Sequence, residues 1–243
     1  LSQMEQFIFS AEMAQANAPA VGGMGVTMIG PTLIVHGTED QRHEHLPKIL
    51  SGEVAWAQGY SEPGAGSDLA SLQMRATKDG DEYVINGQKT WSSGAHFADW
   101  MFTLTRTDPE APKHRGISFM VVDLKTPGVS LRPIIDMAWK HPFNETFFED
   151  VRIPSRNLIG EENRGWYVGM TLLDFERSLV ALPIHYRRAL QEQIEAIRGD
   201  ARGFVRADFA AMRLEFVDRL IEADVLYNFA LRIVRDRKST RLN

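Results

Sequence analysis

The chain has 243 residues, enough to bury a sizeable core, and its 44% hydrophobic and 24% charged residues are the balance of an ordinary globular protein. A formal net charge of -5, with no basic stretch interleaved with aromatics, excludes an electrostatic footprint for nucleic acid. With no cysteine, disulfides, thiolate chemistry and Cys-type zinc sites are excluded, which accords with a reducing, cytoplasmic compartment.

In chain order, residues 3–16 place Met4, Phe7, Ile8 and Met13 at helical spacing and predict an amphipathic helix. Residues 13–35 carry no charged side chain, as a membrane span would. Pro19, Gly22, Gly23, Gly25, Gly30 and Pro31, with Gln15, Asn17, Thr27 and Thr32, would break a lone helix and leave it polar in lipid. The stretch therefore reads as a buried helix–turn–helix, with no membrane span. Thr38 and Gln41 make a capping-box pattern that opens a helix over 39–50. His36, His43 and His45 flank or lie in that helix; His43 and His45 point apart, and all three read as solvated surface residues rather than metal ligands. The texture changes at Val54. Strands are predicted at 72–78, 83–86, 89–92, 101–107, 117–124, 129–133 and 146–153, with Asp79-Gly80 and Asn86-Gly87 as turn signals. From about Asn163 the helical period returns, and Phe204, Met212, Phe216, Leu220, Leu226 and Ile233 trace an apolar stripe along the last helix.

Three features could carry chemistry. The decapeptide GYSEPGAGSD at 59–68 frees backbone N–H groups near its glycines to approach a phosphate, with Ser61 and Ser67 adding hydroxyls; as a bare pattern it reads equally as a tight turn. The hexapeptide KTWSSG at 89–94 offers the flat face of Trp91 and the hydroxyls of Ser92 and Ser93 to a ring, although a strand tryptophan is also a common core residue. Glu176 has Leu172, Leu173, Leu179 and Val180 as its helical neighbours. A carboxylate on an apolar stripe is desolvated and suited to act as a general base, unless it reaches water at the stripe's edge.

These residues resemble a known family. SEPGAGSD at 61–68 is similar to the signature loop of the acyl-CoA dehydrogenases, and the resemblance continues through YVINGQKTWSSG at 83–94, GISF at 116–119, TPG at 126–128, FEDVRIP at 148–154 and NLIG at 157–160. It also takes in GTEDQ at 37–41, and beyond Arg177 only the helical texture matches. The resemblance implies an α+β multidomain fold: a helical N-terminal segment over 1–53, a middle antiparallel β-domain over 54–158 and a C-terminal helical bundle, truncated, over 159–236. Residues 237–243 fit no family position and read as a non-native tail.

The resemblance further implies FAD-dependent α,β-dehydrogenation of an acyl-CoA thioester to a trans-2-enoyl-CoA. Gln58, Gly59, Tyr60, Ser61, Gly66, Ser67, Trp91, Ser92 and Ser93 would hold FAD, and Ser67 and Arg177 would touch substrate. Gln58 and Tyr60 depart from the residues usual in the family. Glu176 would be the catalytic base, because DFER at 174–177 resembles the pattern in which a minority of the family carry it; most carry it farther along than this chain extends. An electron-transferring flavoprotein is the implied acceptor, and a homo- or hetero-oligomer, dimer or tetramer, the implied assembly. An oxidase of the same fold and a non-catalytic partner subunit of a heteromeric dehydrogenase remain as alternatives.

Overall fold

A computed structural model of the protein describes residues 3–19, 21–176, 181–199 and 209–240. Its α-helices are α1 (Gln3–Gln15), α2 (Gly30–His36), α3 (Glu39–Ser51), α4 (Gly165–Glu176), α5 (Ala181–Gly199) and α6 (Phe209–Thr240). Its strands are β1 (Trp56–Gly59), β2 (Arg75–Asp79), β3 (Glu82–Lys89), β4 (Trp100–Arg106), β5 (Ile117–Asp123), β6 (Val129–Ile134), β7 (Phe143–Pro154) and β8 (Leu158–Ile159). The chain divides into two compact units, Val21–Glu176 and Leu1–Ala20 with Arg177–Asn243. A helical start, a β middle and a helical end follow one another as expected.

The larger unit opens with a π-helical turn, Gly25–Ile29, that runs into α2. Gly25 is needed there, since a β-carbon would press on Ile49 and Trp56 at 3.2 and 3.3 Å. The helix–turn–helix reading holds for the inner face: Met28, Ile29 and Leu33 are buried, whereas Ile34 and Val35 are exposed. The capping box opens α3 as predicted. The Thr38 hydroxyl accepts from the Gln41 amide, and the Gln41 side chain accepts from the Thr38 amide at 2.9 Å. Gly52 then ends the helix in the left-handed conformation that glycine adopts without penalty. His45 departs from the solvated reading. Its two-residue offset from His43 turns it into the core, edge-on to Trp56 and Trp100, while His43 stays outside against Glu39 at 3.0 Å.

The strands form one sheet in the order β6-β7-β3-β2-β4-β5-β8, with β1 also on β4. Pairing is antiparallel except at β4, which β1 joins in parallel and β2 meets in parallel at Arg75 and Arg106. Because β5 pairs with the whole of β4, β1 and β2 share its other edge, β1 from Trp100 to Thr103 and β2 at Arg106. The chain leaves the sheet where one partner gives way to the other, and residues 60–74 form the excursion. Strands β4 and β5 are buried on both faces. Phe102, Leu104, Phe119 and Val121 meet the helices through Ile29, Leu33 and Leu172, while Met101, Met120 and Val122 pack with Tyr83, Ile85, Phe148 and Ile153.

One predicted turn is overturned. The strand expected at 83–86 runs on without a turn to Lys89 as β3, so that only Lys89 of the strand expected at 89–92 is in it, and β7 carries one extra residue where the register shifts between Ile85 and Gly87. The Asn86 side chain bonds Asp150 across the strands, and Gly87, at φ +139°, lies where a β-carbon would meet the Met74 Cα at 2.9 Å. Asn-Gly suits a positive-φ position opposite a bulge as well as a hairpin tip, so local chemistry does not separate them. The Asp79-Gly80 turn is present between β2 and β3. The short strands β1 and β8 carry too little period to be read from sequence.

In the smaller unit α1 packs on α5 and α6 through Phe7, Ala14, Ile184 and Val234, with the Phe7 ring 5.7 Å from Tyr227. The predicted stripe on α6 is shifted. Phe216 and Leu220 are half-buried, but Leu226, Ile233 and Met212 are exposed, and Tyr227 and Val234 take the inward positions instead. Phe204 lies outside the described residues. Leu214, Val217, Ile221, Val225 and Phe229 form a second, exposed apolar row, and two such rows on one helix hide the period. Among the described residues no helix is long and apolar enough to cross a membrane.

Candidate functional site

The two motifs singled out in the sequence lie side by side. The first begins on β1, where Gly59 is buried; a β-carbon there would overlap the Met101 sulfur, and Thr103 Oγ1 donates to its carbonyl. The chain then turns up from the sheet edge. Glu62 and Ala65 exchange backbone hydrogen bonds at 2.9 and 3.0 Å, closing a tight turn around Pro63 and Gly64. Gly64, Gly66 and Ser67 are exposed, and a β-carbon built on either glycine meets nothing within 4 Å. The turn reading and the phosphate-cradle reading are therefore compatible: the turn presents an open stretch of backbone.

The second motif follows β3. Trp91 is 58% exposed and sits in the left-handed region at φ +59°, so it is neither a strand residue nor a core residue. A bulky residue held there is strained by about 1–3 kcal/mol, and such strain concentrates at functional sites. Its ring meets the edge of Phe143, with centroids 5.8 Å apart. Behind it, buried Asn144 holds the loop: Ser92 N donates to Asn144 O, Asn144 N and Nδ2 both donate to Ser92 O, and the amide also bonds His96 and His141. Those two imidazoles stack with centroids 4.0 Å apart.

Two residues expected at a cofactor turn their side chains inward. The Tyr60 side chain is buried in the core against Phe102 and Phe119, and its carbonyl accepts from Lys89 Nζ at 3.2 Å. Ser92 is wholly buried, with its Oγ accepting from Thr146 at 3.3 Å. Each fixes a loop and presents no side chain at the surface. Gln58, Ser61 and Ser93 are half-buried.

What joins the motifs was not foreseen. Thr90 N donates to Ser61 O at 2.8 Å, and Lys89 Nζ donates to Glu62 Oε1 at 2.7 Å. Lys89 is fully buried, and burial lowers its pKa to about 8 against the opposing pull of Glu62. Glu62, itself 8% exposed, also accepts from the amides of Gln73 and Met74. The signal was present: Lys89 continues the inward parity of Tyr83 and Ile85, and a lysine on that face needs a buried partner.

The third feature stands on α4, which rests on β5; a β-carbon on Gly165 would lie 2.2 Å from the backbone of Ser118 and Phe119. Leu172 is buried and Leu173 half-buried one turn before Glu176, and Asp174 is exposed, in keeping with the predicted faces. Thr171 Oγ1 bonds His36 Nε2 at 2.9 Å and so ties α4 to α2. Glu176 is described in its backbone only, and Arg177, Leu179 and Val180 lie outside the described residues.

The family models described as acyl-CoA dehydrogenase, N-terminal domain and acyl-CoA dehydrogenase, middle domain match residues 1–53 and 57–151, together more than half of the chain. The chain is 44% identical over 204 residues to acyl-CoA dehydrogenase IpdE1 of Mycobacterium tuberculosis, covering 83% of this chain and 53% of that protein. It is 47% identical over 177 residues to acyl-CoA dehydrogenase FadE29 of the same organism, covering 73% of this chain and 46% of that protein. It thus spans about half the length of these curated relatives. Among solved structures, the Tcur3481-Tcur3483 steroid ACAD superposes with a TM-score of 0.88 at 35% identity, over 99% of this chain and 61% of that one. The ChsE4-ChsE5 complex of Mycobacterium tuberculosis superposes with a TM-score of 0.81 at 36% identity, over 98% of this chain and 62% of that one.

Proposed function

The chain belongs to the acyl-CoA dehydrogenase family, and we propose that the full-length gene product oxidises an acyl-CoA thioester between its α and β carbons to the trans-2-enoyl-CoA, using FAD held non-covalently by the two joined loops. One observation carries the reading: an exposed, strained Trp91 stands beside the open backbone at Gly64 and Gly66, and Ser61 and Thr90 lock the two together. The residues fit such a group. The amides of Gly66 and Ser67 and the Ser61 and Ser67 hydroxyls are donors for a diphosphate, Gln58 and Gly59 line the approach, and Trp91 with Ser93 offers an aromatic face and a hydroxyl to a flat heterocycle. FAD, when bound, supplies the two-electron acceptor for a hydride from the β carbon.

The remaining chemistry is a proton transfer. Glu176 is proposed to take the α proton, supported by the apolar surroundings of the preceding turn at Leu172 and Leu173 and by the DFER pattern. Ser67 and Arg177 are proposed to contact the acyl-CoA. Electrons would pass to an electron-transferring flavoprotein in the cytoplasm; peroxide formation in air would instead mark an oxidase. Two structural neighbours carry paired names, Tcur3481-Tcur3483 and the ChsE4-ChsE5 complex, which supports assembly with a second, different chain over a homo-oligomer. The first of these is named a steroid ACAD, which supports a bulky, ring-bearing acyl group.

The test is direct. The purified full-length gene product, expressed alone and with candidate partner chains, should show flavin absorbance that bleaches without oxygen on adding its acyl-CoA. Protein that acquires no flavin absorbance after incubation with FAD would refute the reading.

A further inference from the structure

The Glu62–Lys89 pair is out of keeping with its surroundings. A buried ion pair is weak evidence of stability, because desolvating both ions offsets most of their attraction, and apolar residues of similar size commonly serve as well. Here the two charges lie 2.7 Å apart with side chains 7% and 0% exposed. Their connections follow the two loops. Through Glu62 the pair holds the glycine turn and the amides of Gln73 and Met74 that lead into β2; through Lys89 it holds the Tyr60 carbonyl and the end of β3, two residues before Trp91. It fixes the spacing between the open backbone and the aromatic plane.

Its charge matters as well. Glu62 is itself part of the turn whose outer side presents Gly64, Gly66 and Ser67, so a carboxylate lies beneath the surface proposed to accept an anion. Lys89 is the cation in contact with it. Arg106, on β4, also faces Glu62 electrostatically, but its guanidinium donates to the carbonyls of Ala70, Leu72 and Lys113 and stays charged throughout the range at issue. Deprotonating Lys89 would remove one positive charge from beneath the loop and leave Glu62 facing an incoming diphosphate.

We propose that Glu62 and Lys89 are the positioning residues of the cofactor site: the pair sets the glycine turn against Trp91, and the lysine ammonium offsets Glu62 so that the turn can take a diphosphate. The proposal rests on reading the two loops as a flavin site. Neither side chain touches the cofactor; both act through the loops they hold. Burial brings the Lys89 pKa to about 8, so the charge state that the site requires is lost within an accessible range of alkaline pH. An anion bound above the loop favours the ammonium form, and linkage then requires its affinity to fall as pH rises past that value.

The experiment is a fluorescence titration of FAD into full-length protein freed of flavin, from about pH 6.5 to 9.5. The unaltered protein should lose affinity by up to about tenfold per pH unit above about 8. Lys89→Arg, which keeps the charge, should bind FAD with a flat profile. Lys89→Met and the neutral double variant Glu62→Gln/Lys89→Met should bind more weakly than the unaltered protein at neutral pH, again with a flat profile, while circular dichroism shows the fold intact. The pH profile of the unaltered protein needs no substitution, so a variant that fails to fold leaves the test standing. Affinity that is flat with pH in the unaltered protein and unchanged by Lys89→Met would overturn the proposal while leaving the flavin site in place. Failure of the unaltered protein to bind FAD at any pH would overturn both.

Discussion

The side-chain amide of Gln41 donates to the carbonyl of Leu158 at 2.8 Å, and the same nitrogen reaches the carbonyl of Arg156 at 2.6 Å. Its oxygen meanwhile accepts from Thr38 N. One buried side chain therefore closes the N-terminus of α3 and fastens that helix to Arg156, between β7 and β8, and to Leu158, the first residue of β8.

Replacing Gln41 should be costly. Gln41→Ala loses the reciprocal cap and leaves two carbonyls short of a donor, so we expect a loss of about 2–4 kcal/mol, summing a cap and two hydrogen bonds. Gln41→Glu keeps the acceptor and loses the donors, and should recover only part of that. Denaturant unfolding of the variants measures both, and a midpoint unchanged in Gln41→Ala would contradict the assignment.

Trp91 should separate function from stability. Trp91→Gly removes an exposed ring and relieves the left-handed backbone, so the flavin-free protein should melt no earlier than the parent and gain up to about 1–2 kcal/mol. FAD affinity should fall, because the aromatic face is gone. A clear loss of stability in Trp91→Gly would mark the residue as structural.

The two serine types make a matched comparison. Ser67→Ala should weaken FAD binding by about 0.5–1.5 kcal/mol, more if the acceptor is a charged phosphate, and leave the melting temperature alone. Ser92→Ala lies in the buried network with Asn144 and Thr146, and should lower the melting temperature while affecting FAD only through the loop. The reverse pattern in calorimetry and flavin titration would exchange their roles.

His45 predicts a pH dependence of stability. Burial holds its pKa below the ordinary 6.5, with Lys48 and Arg156 adding to the effect and Glu44 opposing it. The folded state thus favours the neutral ring, and the unfolded chain binds the extra proton. Stability should be fully present above about pH 6.5 and fall as the pH drops below it. His45→Phe should flatten that slope, as read from unfolding midpoints between about pH 5 and 8. His36 shares the direction of shift, also through burial, and contributes a slope of the same sign.

Much of this was legible in the sequence, for identifiable reasons. The α3 cap and the β4 and β5 strands follow local rules that tertiary structure had no cause to override. The glycine turn and Trp91 were visible as candidates because glycines free backbone amides for a phosphate and a tryptophan followed by two serines can face a ring. Orientation was not legible. Tyr60 and Ser92 lie within the motifs yet turn inward, because β1 alternates faces into Tyr60 and Asn144 draws Ser92 under the loop. Asn86-Gly87 misled because a glycine at positive φ serves inside a strand opposite a bulge as well as at a hairpin tip, and the cross-strand bond to Asp150 decides between them. The α6 stripe was displaced by one residue at Tyr227 and Val234 because the helix carries apolar side chains on two faces.

The central claim, an acyl-CoA dehydrogenation in which Glu176 takes the α proton, is tested most directly by anaerobic stopped-flow bleaching of the flavin in the full-length gene product. The unaltered protein should bleach on mixing with its acyl-CoA. Glu176→Gln, nearly isosteric, should keep flavin and bind acyl-CoA while bleaching slower by at least about 10²–10⁴-fold, the usual contribution of a general base. Asp174→Asn, on the exposed face, should change the rate far less. Bleaching of Glu176→Gln at the parent rate would contradict the account and place the base elsewhere.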